Sequence, residues 1–210
     1  MSYENNKGKV LDLFENHIIK YVVKDLEVLD SIEPDPSGAG ACAIPQAIST
    51  FSALDLIGYL INPQDLKAVS MNFTELLKND TYFPEFKQYS TYLNFFESFR
   101  DNLRGIMVHR FSLAKYDIIK SNKDHLFIEK SGRQIFNTSH FTRMTVVAIR
   151  MIYNQIKDDN FIINGYSKEK TMAKIKERIE KLKDFEGNAF SILTNLPISS
   201  TTTQTTSSLG

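Results

Sequence analysis

One apolar stripe constrains this chain more than any other feature. Tyr92, Phe95, Phe96, Phe99, Leu103, Ile106 and Met107 recur every three or four positions, the spacing that gathers side chains on one face of an α-helix. So aromatic a face has to be buried against other elements. The remaining sequence supplies them. Val10, Leu13, Phe14, Ile18, Tyr21, Val22, Leu26 and Leu29 predict a first helix over Lys9 to Ile32. Pro34, Pro36, Gly38 and Gly40 break the chain between Glu33 and Ala43. A second helix starts at Pro45, where proline suits a first turn, and runs through Phe51, Leu54, Ile57 and Leu60 to a stop before Asn62-Pro63. It is apolar on most sides and is expected at the centre. Gln64 to Asn79 predicts a shorter helix, Tyr82-Phe83-Pro84 a break, and Glu85 to Phe111 a fourth helix that carries the stripe.

The pattern then changes period. Tyr116 to Lys120 and His125 to Lys130 are short alternating runs with Ser121-Asn122-Lys123-Asp124 between them, which predicts a small β-hairpin or meander. Ser131-Gly132 is a further turn, and Gln134-Ile135-Phe136 a third short strand. Thr138 to Lys157 returns to helix through Phe141, Met144, Val147, Ile149, Ile152 and Ile156. Ser167 to Asp184 reads as a charged helix with Met172, Ile175, Ile179 and Leu182 on one side and Ser167 as its start. From Pro197 onward the chain is rich in Ser and Thr with no apolar period, the composition of a disordered tail.

Twenty-five basic residues balance 25 acidic ones, so the chain as a whole offers no electrostatic footprint for wrapping duplex DNA. A local basic site acting on RNA stays open. The single cysteine, Cys42, permits no disulfide within the chain and suits a reducing compartment. The first residues are polar, with no signal-peptide core. The longest mostly apolar stretch, Ile44 to Ile61, is interrupted by Pro45, Gln46, Ser49, Thr50, Ser52 and Asp55 and reads as too polar for a membrane span. A cytoplasmic protein is expected.

Arg104 and His109 are the residues with most chemistry in their spacing. Guanidinium grips phosphate oxygens, and imidazole moves protons near neutral pH. On the helical wheel Arg104 falls roughly 120° to one side of the stripe centre and His109 roughly 100° to the other. The two therefore flank the outer face, which holds Asp101, Gly105 and Val108. Gly105 costs a helix about 1 kcal/mol relative to alanine but admits a close backbone approach, and Val108 adds an apolar contact. A second copy of the helix across a two-fold axis would bring Arg104 and His109 of both chains together. Arg100, one turn before Arg104, would extend a phosphate patch. A histidine near a helix end is also commonly just a surface or capping residue.

The run from Phe99 to His109 resembles the HEPN superfamily, whose signature is Arg, four to six residues, then His, on a late helix of a small bundle. Arg104-Gly105-Ile106-Met107-Val108-His109 has four intervening residues. Many bacterial HEPN-like proteins lead an aromatic amphipathic helix into a segment like "FRNGLxH" and follow it with a short strand and a helix. The resemblance covers Val10 to Lys157 loosely, and only the Arg–His helix carries specific residues. It implies a mainly α, HEPN-like helical bundle over residues 1–160 with a small β-hairpin inserted near 116–136. A charged C-terminal helix over 161–190 and a disordered tail over 191–210 would follow. It further implies a homodimer joined through the motif helix at Gly105 and Val108, and a metal-independent endoribonuclease site with no cofactor. Arg104 would stabilise phosphate charge and His109 would move the proton. Beside the resemblance, the place of Arg100 on the wheel makes it a candidate substrate contact, and Asp55 and Asp101 are candidate supports for the pair. RNA is the implied substrate, and members act as toxins or defence components, some with an antitoxin or other partner protein. Gly105 departs from the pattern, which commonly has Asn, Asp or His after the arginine. A non-catalytic HEPN-like interaction or regulatory module, and an unrelated helical protein with a coincidental spacing, therefore stay open.

Other residues promise less. Gly38-Ala39-Gly40 lacks the Gly-Lys-Ser/Thr of a phosphate loop and reads as a connector. Cys42 has no adjacent base and reads as structural. His17, His125 and His140 are isolated, and no pair has the spacing of a helical metal site. Asp55 lies within the apolar second helix, where a carboxylate needs a partner. The alternating charges of Ser167 to Asp184, Arg178 among them, read first as a solvated face and second as an RNA-contacting surface.

Overall fold

The computed structural model describes residues 2–33, 42–62, 69–89, 94–99, 101, 117–130 and 133–194. The protein is mainly helical with one small three-stranded sheet. Helix α1 is one continuous rod made of Tyr3–Leu13, Phe14–Val23 and Lys24–Ser31, of which the middle part is π-helical. Ser2 caps it by accepting from the backbone N–H of Asn5, and its first helical residue, Tyr3, lies six residues before the start that periodicity predicts. Its buried residues Val10, Phe14, Ile18 and Val23 step by four, four and five, and the step of five suits the wider π turn.

Helix α2, Ala43–Ile61, is the centre of the molecule, as its all-round apolarity predicts. Phe51, Leu54, Ile57 and Leu60 are fully buried. By length and composition α2 is apolar enough to cross a membrane, despite its polar residues. Here Gln46, Thr50 and Asp55 are buried within the fold. Gln46 Nε2 donates to Asp30 at 2.8 Å, and the hydroxyls of Thr50 and Thr142 meet at 2.8 Å. Helix α3, Val69–Leu77, packs closely on α2. Their backbones nearly touch where Gly58 faces the carbonyl of Asn72.

The fourth helix differs from the single span expected over Glu85 to Phe111. Pro84–Tyr89 is a 3-10 segment, and the short helix α4, Phe95–Ser98, starts only after Asn94. Asn94 has φ 59°, a left-handed conformation that interrupts a right-handed helix and that asparagine tolerates. Phe96 and Phe99 face the core as the stripe requires.

Strands β1 (Asp117–Ile119), β2 (Phe127–Lys130) and β3 (Arg133–Asn137) form a sheet in the order β1-β3-β2. This corrects the expected pairing of the first two runs. The hairpin is β2–β3, and β1 lies parallel to β3 on its other edge. The buried side chain of Asn137 explains why Ser121 to Asp124 does not close a hairpin. Its Oδ1 accepts from the N–H of Ser121 at 3.1 Å, and its Nδ2 donates to the carbonyls of Lys123 and His125 at 2.9 and 3.2 Å. The chain thus wraps around one amide. Lys120 then ties the end of β1 to the C-terminus of α1, donating to the carbonyls of Leu29 (2.7 Å), Asp30 (3.1 Å) and Ile32 (2.5 Å). A lysine there also suits the negative end of the helix dipole.

Helix α5, Thr138–Lys157, matches its sequence pattern, with Asn137 as its cap. Helix α6, Lys168–Thr194, packs on α1. It is not only a solvated charged face, because Arg178 is 2% exposed. Its Nη1 donates to the carbonyls of Leu60 and Asn62 at 3.2 and 2.5 Å, and its guanidinium lies 5.5 Å from the Tyr59 ring centre. One arginine thereby caps the C-terminus of the central helix. Arg178→Met keeps most of the volume but removes these donors, and should cost about 2–3 kcal/mol. Urea unfolding checks this, and a loss under about 0.5 kcal/mol, the size of an ordinary surface change, contradicts the capping role.

Candidate functional site

Arg100, Arg104, Gly105, Val108 and His109 lie outside the described residues, as do residues 195–210; residues 191–194, expected in a disordered tail, instead continue the helix that ends at Thr194. Of the supporting acids, Asp101 is exposed and Asp55 is buried, at 8% exposure.

The described flanks of the motif show where it is rooted. On the N-terminal side, the ring of Phe99 packs against those of Phe51, Phe86, Phe136 and Phe141 at 5.6 to 5.9 Å. On the C-terminal side, Ile118 of β1 pairs in register with Phe136 of β3. Both flanks therefore meet on Phe136, which is fully buried.

A polar cluster is built beside that root. Glu85 and His140 immediately precede Phe86 and Phe141, whose rings lie 6.2 Å apart. His140, in the first turn of α5, sets Nε2 at 2.5 Å from Glu85 Oε2. The other oxygen of Glu85 accepts the N–H of Leu126 at 3.0 Å. Glu85 thus joins the 3-10 segment, the approach to β2 and α5. The second ring nitrogen of His140, Nδ1, faces Asp124 Oδ1 at 3.7 Å.

Arg143, one turn further along α5, repeats the arrangement. Its Nη1 faces Asp30 at 3.7 Å, while Nη2 lies 3.3 Å from Asp124 Oδ1 and 3.4 Å from the carbonyl of Lys123. Asp30 is itself held by Gln46. Two basic side chains are thus each faced from within by a carboxylate of low exposure, and both turn a second nitrogen toward one exposed acid. Nothing local in the sequence marks His140. Glu85 is 55 positions away, and only folding joins them. Its place three residues after a capping asparagine is the sole sequence hint.

No cluster of three or more His, Cys, Asp or Glu able to hold a metal ion occurs among the described residues. Cys42 caps α2 in a left-handed conformation, with φ 52°. No protein-family model, curated protein or solved structure matches the chain.

Proposed function

We propose that the chain is a cytoplasmic, HEPN-type, metal-independent endoribonuclease that works as a homodimer, with Arg104 and His109 as its catalytic residues. The observation that supports this reading best is the rooting of the motif. Its two described flanks, Phe99 and β1, both meet Phe136 in the core of a mainly helical fold. In the reaction the RNA 2′-oxygen attacks the neighbouring phosphorus. A 2′,3′-cyclic phosphate forms, and the 5′-oxygen leaves and takes up a proton. Arg104 would neutralise charge gathering on the phosphate oxygens. His109 would take the 2′-hydroxyl proton or deliver one to the leaving oxygen. The outer face with Gly105 and Val108 would bring two such pairs together, and Arg100 would hold an adjacent phosphate. Asp55 and Asp101 would support the pair, the first from the core and the second from the surface.

The test is RNA cleavage by purified protein in EDTA, with Arg104→Ala and His109→Ala beside it. Each substitution should lower the rate by about a hundredfold or more, and cleavage per protomer should fall on dilution below the dimer. Gly105, in place of a polar residue after the arginine, favours a second reading: a non-catalytic HEPN-like module that docks a partner such as an antitoxin. That reading expects the dimer without cleavage.

A further inference from the structure

We propose that His140 and Arg143 form a phosphate-binding subsite whose resting occupant is the carboxylate of Asp124. The inference does not depend on Arg104 and His109 being catalytic. It rests on three features of the cluster. The first is orientation. Glu85 holds His140 through Nε2 and Asp30 faces Arg143 through Nη1, which leaves Nδ1 and Nη2 aimed at the same point. The second is the quality of the contact at that point. One oxygen, Asp124 Oδ1, serves both donors, at 3.7 and 3.3 Å. Charge-assisted hydrogen bonds run at about 2.7–2.9 Å, so neither donor is well satisfied. A phosphate has several oxygens and could give each donor its own. The third is exchangeability. The Asp124 side chain is 85% exposed whereas that of His140 is 12% exposed. Moving Asp124 into water therefore costs little, because an exposed ion pair contributes little.

The site also lies at the start of the 20-residue helix α5, whose positive end favours an anion. The ligand class is a phosphate group, either free or in the backbone of a ribonucleotide strand.

Titration with inorganic phosphate at fixed ionic strength, followed through the His140 ring resonances and by calorimetry, tests the proposal. Asp124→Asn should bind phosphate at least fivefold more tightly than wild type, because the competing carboxylate is gone. Adding Arg143→Gln to that variant should weaken binding at least tenfold. Both side chains lie at the surface, so these variants retain the fold, and Arg143→Gln keeps the test sound where His140→Gln does not fold. Unchanged affinity in Asp124→Asn, or phosphate binding that survives Arg143→Gln, overturns the site. A short RNA strand bound more tightly than inorganic phosphate through the same residues assigns it to the nucleic-acid backbone. Equal affinity assigns it to free phosphate.

Discussion

Gly58→Ala should destabilise the protein by about 2–3 kcal/mol, while the same change at Gly8 should stabilise it by about 1 kcal/mol. Both glycines are helical, and both gain the same helix propensity from a methyl group. Their surroundings differ. A Cβ at Gly8 meets nothing within 4 Å, whereas one at Gly58 would lie 2.4 Å from the carbonyl oxygen of Asn72 and 2.6 Å from its carbonyl carbon. The obstacle is backbone, which no rotamer change relieves. Helix α3 would have to move off α2 and open a gap along their contact. Thermal or urea unfolding of the two variants reads the opposite signs directly. A Gly58→Ala protein as stable as wild type would mean that the α2–α3 approach is looser than described.

Phe51→Ala should cost about 3–5 kcal/mol, the range for removing a fully buried aromatic side chain. Phe51 is the ring on which the core turns. It packs with Phe73, Phe99, Phe136 and Phe141 at 5.1 to 6.4 Å. Each such pair adds about 0.5–1.5 kcal/mol beyond area burial. Phe51→Leu refills much of the volume and should recover roughly half of the loss. Phe99 and Phe136 hold the described flanks of the Arg–His segment, so the alanine variant should also lose any activity of that segment before it unfolds globally. Unfolding midpoints measured beside RNA cleavage check this. A loss below about 1.5 kcal/mol would contradict the place of Phe51 at the hub.

Much of the helical framework was legible in the sequence because the apolar period is strong. Thr138–Lys157 and the central place of α2 follow from where Phe51, Ile57, Phe141 and Ile152 recur. The errors lie where one side chain acts over a long distance. Asn137 gathers Ser121, Lys123 and His125 around its amide and so moves the hairpin from β1–β2 to β2–β3. Asn94 adopts a left-handed turn that the aromatic stripe runs straight through. Arg178 looks like one charge among many in α6, yet it is buried because the carbonyls of Leu60 and Asn62 end a helix beside it. The candidate site divides in the same way. Arg104 and His109 are readable because their spacing is local, and Asp55 because a lone acid interrupts an apolar helix. His140, Arg143, Glu85, Asp30 and Asp124 come from four separate stretches of chain, and no sequence period links them.

In the proposed reaction Arg104 and His109 cleave RNA through its own 2′-hydroxyl. The most direct measurement compares one RNA strand with its 2′-deoxy counterpart in EDTA, using wild type and His109→Ala. Wild type should cleave only the RNA and leave 2′,3′-cyclic phosphate ends, and His109→Ala should be slower by about a hundredfold or more. Cleavage of the RNA by His109→Ala at the wild-type rate, or equal cleavage of the 2′-deoxy strand, would contradict it.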